Sequence, residues 1–202
     1  MSFKVKDHFY NKAKKEKFLA RSIYKLEEID KKFKLFSKKS IVLDCGYYPG
    51  SWIQYVSRVS PQGKIVGIDI KPIQRDIQSL PNVSLFEKDV FELDDMSEVN
   101  LEDKVDVLLS DMAPNTTGIK SVDQDRSLNL VEQVFTLMPK VLDNNGHFVI
   151  KVFESHGAQE FLKTQKKYFK KWHYLKPKST RSVSKEFFVI GKFYLGHNTE
   201  NA

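Results

Sequence analysis

Five short runs rich in branched and apolar residues recur along this chain: IVLDC at 41–45, KIVGIDI at 64–70, VSLFEKD at 83–89, VDVLLSD at 105–111 and HFVIKVF at 147–153. The first four are mostly apolar throughout instead of alternating with polar residues. Strands of that kind are covered on both faces, as in parallel sheets flanked by helices. Helical patterns separate several of them, clearest in SLNLVEQVFTLMPKVL at 127–142 and GAQEFLKTQKKYF at 157–169. Upstream, Ile23, Leu26, Ile29 and Phe33 recur at helical spacing and predict a helix over about 20–34. Two last runs, WHYLK and EFFVIGKFYL, follow with no long helix between them and read as an antiparallel edge. The alternation predicts an α/β fold, a doubly wound and mostly parallel sheet with helices on both faces. Ligands in such sheets bind beyond the carboxyl ends of the strands, so the chemistry is sought there.

With 202 residues, a single domain over 1–195 is expected, with a basic helical segment over about 1–39 and a disordered tail at 196–202. No apolar run approaches the roughly 20 residues of a membrane span. The lysine-rich N-terminus contains Asp7 and Glu16 and resembles neither a signal nor a transit peptide. The lone Cys45 cannot form an internal disulfide. An intracellular protein is expected, in the cytoplasm or an organelle or nucleolus, without a membrane partner and as a monomer. The five histidines show no metal-binding spacing, so no metal is expected.

The formal charge of +7 is unevenly spread. Residues 1–39 hold 13 Lys and Arg against 5 Asp and Glu, and residues 163–192 hold 10 against 1, whereas residues 40–162 hold 10 against 19. If the fold joins the ends, they form a cationic face suited to a polyanion; two separate solvated surfaces fit the same counts.

The first run leads into Gly46-Tyr47-Tyr48-Pro49-Gly50-Ser51-Trp52. This loop lacks both the G-x-G-x-x-G spacing of dinucleotide folds and the G-K-[ST] of a phosphate loop. It offers no lysine to a phosphate, and Pro49 withholds an amide donor. Gly46 and Gly50 still allow close backbone approach to a ligand. A nucleoside without phosphates fits, and S-adenosylmethionine is such a ligand. Asp69, at the end of the second run, stands where ribose hydroxyls are met, and Asp89, at the end of the third, is placed to accept from an adenine amino group. A purely structural strand–helix turn remains the plainer reading of one glycine loop; acids at three successive strand ends, Asp44, Asp69 and Asp89, favour the nucleoside.

LDCGYYPGSW, LLSDMAPNTTG, FVIKVFE and STRSVSKEFFVIG, preceded by ARSIYKLEEID, resemble in order and spacing the motifs of the FtsJ/RrmJ family of ribosomal RNA ribose 2′-O-methyltransferases. The resemblance runs from about residue 8 to 194. It implies a Rossmann-like class I methyltransferase fold with a seven-stranded, mostly parallel sheet, S-adenosylmethionine as methyl donor with S-adenosylhomocysteine as product, and an RNA substrate. It places the family's Lys-Asp-Lys-Glu set on Lys25, Asp111, Lys151 and Glu186. It implies donor contacts at Gly50, Trp52, Asp69, Asp89 and Asp111, with Gly46, Pro49, Ser51 and Val90 beside them in the expected site. The family usually has two alanines before the proline and a second glycine after Gly50, where this chain has Tyr47, Tyr48 and Ser51.

Charge patterning alone also allows a structural ion pair between Asp111 and Lys151, an ordinary edge charge at Glu186 and a solvated Lys25. Under the family reading, Lys151 either takes the hydroxyl proton as a neutral amine or stabilises the developing alkoxide as a cation. Lys12, Lys14, Lys15 and Arg21 on one side, and Lys176, Lys178 and Arg181 on the other, are candidate phosphate contacts. Phe9 and Tyr10 suit either base stacking or packing. SDMAPN has the ribosomal form, favouring a uridine of the large-subunit RNA or the assembled subunit over a tRNA anticodon loop. A binding module aiding ribosome assembly without turnover is the reading from a different class.

Overall fold

A computed structural model describes residues 8–115, 117–181 and 184–196. The expected tail lies outside the described residues beyond Gly196. In chain order the elements are α1 (His8–Lys15), α2 (Ile23–Phe33), β1 (Ile41–Cys45), α3 (Ser51–Val59), β2 (Lys64–Asp69), α4 (Arg75–Gln78), β3 (Val83–Glu87), β4 (Val105–Ser110), α5 (Lys120–Val141), β5 (Leu142–Phe153), α6 (His156–Gln165), β6 (Phe169–Leu175) and β7 (Glu186–Tyr194). Short 3-10 turns follow β3 and α6.

One seven-stranded sheet runs in the order β3-β2-β1-β4-β5-β7-β6. All pairings from β3 to β5 are parallel, and β7 pairs antiparallel with both β5 and β6. The antiparallel C-terminal part is therefore present, with β7 inserted inside it and β6 at the rim. Side chains of α2, α3 and α4 cover one face of the sheet, where Leu26, Ile29, Trp52, Ile53, Val56 and Ile77 meet strand residues such as Val42, Val107 and Ile190. Helices α5 and α6 cover the other through Val134, Phe135, Met138 and Leu162. Burial on both faces is why the parallel strands carry little alternation.

Element boundaries depart from the sequence pattern where polar residues hide them. Helix α5 starts at Lys120, seven residues before the apolar pattern, because its first turns face solvent and bury nothing until Ser127. The 157–169 pattern breaks earlier than expected: α6 ends at Gln165, and Phe169 opens β6 in the core. Strand β3 stops at Glu87, and Asp89 instead caps the following turn by accepting from the Phe91 amide at 3.0 Å. Among the described residues no helix is long and apolar enough to cross a membrane.

Candidate active site

The carboxyl ends of β1, β2, β3 and β4 open onto a cavity of about 520 Å³, within the usual range for a small-molecule site. Gly46, Asp69, Asp89, Val90 and Asp111 line it, as five of the expected donor-site positions. Asp69 is fixed by two backbone amides: its Oδ2 accepts from Tyr48 at 3.0 Å and its Oδ1 from Lys71 at 2.9 Å. Met112 presses against Gly46, whose φ of +77° and lack of a side chain permit the approach; a Cβ there would lie 2.1 Å from Met112 Cγ.

Pro49, Gly50, Ser51 and Trp52 do not line the cavity. Ser51 Oγ and Ser22 Oγ are 2.8 Å apart, and the Trp52 indole N–H donates to the Ser22 carbonyl at 2.9 Å. Trp52 thereby ties α3 to the start of α2 and packs beside Phe188 of β7. Gly50 takes φ +111°, with Ile77 where a Cβ would go. The two tyrosines divide: Tyr47 is buried over Gly67, and Tyr48 lines the cavity with the Lys71 ammonium 4.6 Å from its ring centre.

Lys25 of α2, Asp111 just past β4, Lys151 of β5 and Glu186 of β7 meet as two ion pairs. Lys151 Nζ, nearly buried in β5, lies 3.1 Å from Asp111 Oδ1 and donates to the Asp111 carbonyl at 2.5 Å. Lys25 Nζ, from α2, lies 2.5 Å from Glu186 Oε1 at the start of β7. Because β7 runs antiparallel, its first residue falls at the carboxyl end of β5, opposite Phe153. Burial alone pushes the Glu186 carboxyl up, but hydrogen bonding and charge from Lys25, the charge of Lys151 and Ser184 bring it below its usual range. Glu186 thus senses both lysines. Glu28, three residues after Lys25 in α2, accepts from the Lys178 amide at 2.9 Å.

Asp44 lies at the rear of this group. It is 1% exposed, and neither carboxylate oxygen has a hydrogen-bond partner among the described residues. Desolvation, then the charges of Asp111 and Asp69, push its carboxyl well above the usual range. A cationic ligand in the adjoining cavity would offset that cost, which fits a sulfonium or ammonium better than a phosphate.

The basic ends converge on the same rim. An Arg21 Nη donates to the Ser179 carbonyl, and Arg21 lies near enough to Arg181 and Glu186 to feel both charges. Lys176 donates to the Ser184 carbonyl at 2.7 Å, while Lys14, Lys15, Lys178 and Arg181 are exposed. Lys12 pairs loosely with Glu16 and sits over the Tyr24 ring. Phe9 packs against Tyr24, whereas Tyr10 is half exposed. Cavity residues that the sequence pattern does not single out include Lys71, Lys88 and Met112 beside the strand ends, and Arg126 and Asn129 on the polar first half of α5. Arg126 holds the loop after β4 by donating to the Asn115 carbonyl at 3.2 Å. Arg126 precedes the apolar pattern at 127–142, and Asn129 lies within it as a polar position whose place at the cavity depends on how the helix packs.

A family model described as FtsJ-like methyltransferase matches residues 18–194. The chain is 40% identical over 201 residues to a Bdellovibrio bacteriovorus protein named ribosomal RNA large subunit methyltransferase E, covering 95% of this chain and 98% of that one. It is 43% identical over 187 residues to the protein of the same name from Desulfatibacillum aliphaticivorans, covering 92% and 89%. A crystal structure of a Plasmodium falciparum protein described as a ribosomal RNA methyltransferase superposes with a TM-score of 0.77 at 28% identity, over 89% of this chain and all of that one. A Methanococcus jannaschii fibrillarin, at 18% identity, shares the fold alone, with a TM-score of 0.60 over 79% of this chain and 68% of its own.

Proposed function

This chain belongs to the FtsJ-like methyltransferase family, and from that premise we propose that it methylates a ribose 2′-hydroxyl of large-subunit ribosomal RNA with S-adenosylmethionine as donor. The observation that carries the reading is the meeting of the Lys151–Asp111 and Lys25–Glu186 pairs beside a cavity whose rear acids call for a cation. Bound there, S-adenosylmethionine supplies a methyl group on a sulfonium that leaves as a neutral thioether, so no acid is asked of the protein. Asp69 and Asp89 would take the ribose and adenine of the donor, and Asp44 with Asp111 would balance its positive end. Gly46 and Val90 complete the lining, while Pro49, Gly50, Ser51 and Trp52 act by shaping the loop and docking α3.

The harder task is the nucleophile, a weakly acidic hydroxyl that must stand about 3 Å from the methyl carbon. An ammonium has three donors. Lys151 Nζ donates to the Asp111 carbonyl and has the Asp111 carboxylate beside it as an ion pair, and a remaining donor would meet the ribose oxygen. Glu186, paired with Lys25, lies near enough to feel the Lys151 charge, so a hydroxyl seated between the pairs would meet donors and acceptors alike. Basic groups from both chain ends, among them Lys14, Lys15, Lys178 and Arg181, would hold the RNA backbone above this point.

The deciding experiment is methyl transfer to ribosomal RNA taken from cells lacking the enzyme. Lys151→Ala should lower turnover by about 10²–10⁴-fold and leave donor affinity, read by calorimetry, within a few-fold of wild type. Retained turnover would remove Lys151 from the mechanism. In the wild type, a rate that rises with pH assigns the hydroxyl proton to a neutral Lys151 amine. A flat profile assigns Lys151 to charge stabilisation, with the proton passing to water once the new O–C bond forms.

A further inference from the structure

A second cationic cluster lies well away from the cavity, on the face of the sheet that α2 covers. The strand register places His147 of β5 opposite Lys192 of β7, and Lys192 opposite Lys171 of β6, in one cross-strand row. His173, two residues along β6, rests its ring on Phe33 at the end of α2, with ring centres 4.8 Å apart. Lys32 projects from the same last turn over the Phe33 ring.

Like charges set directly opposite on a sheet are unfavourable, and the titrating groups register it. Burial first, then Lys171, Lys192 and Lys32, hold the His173 imidazole below its usual range. Burial and Lys171 do the same to the Lys192 ammonium. Two carboxylates face the row, and each is engaged elsewhere. Asp30 accepts from the Leu35 amide and the Tyr55 hydroxyl, both at 2.8 Å, and Asp106 accepts from the Ile41 amide at 2.8 Å. Lys192 has a structural use, donating to the Phe33 carbonyl at 2.5 Å as a cap on α2. A helix C-terminus carries about half a negative charge, too little to balance Lys32, Lys171 and Lys192 together. Among the described residues, neither Lys32 nor Lys171 has a carboxylate at ion-pair distance.

We infer that Lys32, Lys171 and Lys192 form a second phosphate-binding surface for the RNA substrate, gripping the strand at a distance from the nucleotide that is modified. Along β7, Lys192 stands six residues from Glu186, about 20 Å, so a polynucleotide reaches both places and a mononucleotide does not. This rests on the RNA reading above. It adds that flanking RNA, and not the target nucleotide alone, supplies affinity.

The test uses the full chain with large-subunit ribosomal RNA, protein-free and as isolated subunits, and measures binding across a salt series. The Lys32→Gln/Lys171→Gln double variant should lose about two from the slope of log affinity against log salt, near one per phosphate contact. Lys171→Glu should bind at least ten-fold more weakly at 0.1 M salt, on the order of one charge contact reversed. Turnover at saturating RNA and donor affinity should be unchanged, and the melting temperature equal to or above wild type, since repulsion is relieved. Wild-type affinity and slope in both variants, on both RNA forms, would overturn the inference and leave the proposed reaction standing. Failure of the wild-type protein to bind either form would overturn both.

Discussion

Asp44 shows how one side chain links stability to ligand choice. Among the described residues its buried carboxylate has no donor, and it lies beside Asp111 and Asp69, an arrangement that costs the unliganded fold and rewards a cation nearby. Its folded-state pKa is raised, so the penalty develops as pH climbs above the unfolded value and is absent in acid. Asp44→Asn should therefore raise the melting temperature of the unliganded protein at neutral pH and weaken binding of S-adenosylmethionine. A variant less stable than wild type, with donor affinity intact, would refute this account. Glu186 has the opposite sign. Its carboxyl is held below the usual range despite burial, so it contributes stability at neutral pH that is lost as pH falls from about 4.5 through its lowered folded value. Carboxyl titration by NMR should show the Glu186 midpoint move up in Lys25→Met. Lys25 and Glu186 were nameable from motif order, but their 2.5 Å contact was not, because 161 residues separate them and each alone suits a solvated surface.

Among the elements, β7 does the most to assemble the site. Entering between β5 and β6 against the direction of both, it sets Glu186 at the rim and sends Gly191 into the aromatic layer. Phe148 and Phe169 fill the space a side chain at 191 would need; a Cβ would lie 2.1 Å from Phe148 Cε1 and 2.9 Å from Phe169 Cδ1. Gly191→Ala should destabilise by about 1–3 kcal/mol or more, as overpacking of a filled core does, measured as a lower urea midpoint with unchanged slope. An unaltered midpoint would mean the aromatic layer yields freely. The strands of the parallel part were legible because burial on both faces leaves continuous apolar runs. The turns of α5 before Ser127, which carry Arg126, were not, since helix turns that bury nothing carry no apolar period.

For the molecule as a whole, the question is whether the two basic ends act as one. Arg21 reaches the Ser179 carbonyl, and the Lys178 amide reaches Glu28, so residues 158 and 150 positions apart share a rim. RNA affinity should drop by about 10³-fold or more between 50 and 200 mM salt if six or more phosphates are held. Lys14→Gln/Lys15→Gln and Lys178→Gln/Arg181→Gln should each flatten that slope for the same RNA. If one pair of changes leaves it untouched, that end lies off the bound strand. The sequence by itself determined the α/β class and, through the family resemblance, pointed to Lys25, Asp111, Lys151 and Glu186 as candidate site residues, because burial patterns and motif spacing are local properties of the chain. Which partners those residues take was decided by the tertiary structure alone: the Trp52 indole turned to Ser22, Asp44 left without a donor among the described residues, and Lys192 and Lys171 set opposite each other across β7 and β6. Pairing of that kind depends on strand order and register, which the core energetics of the whole sheet select and no single segment encodes.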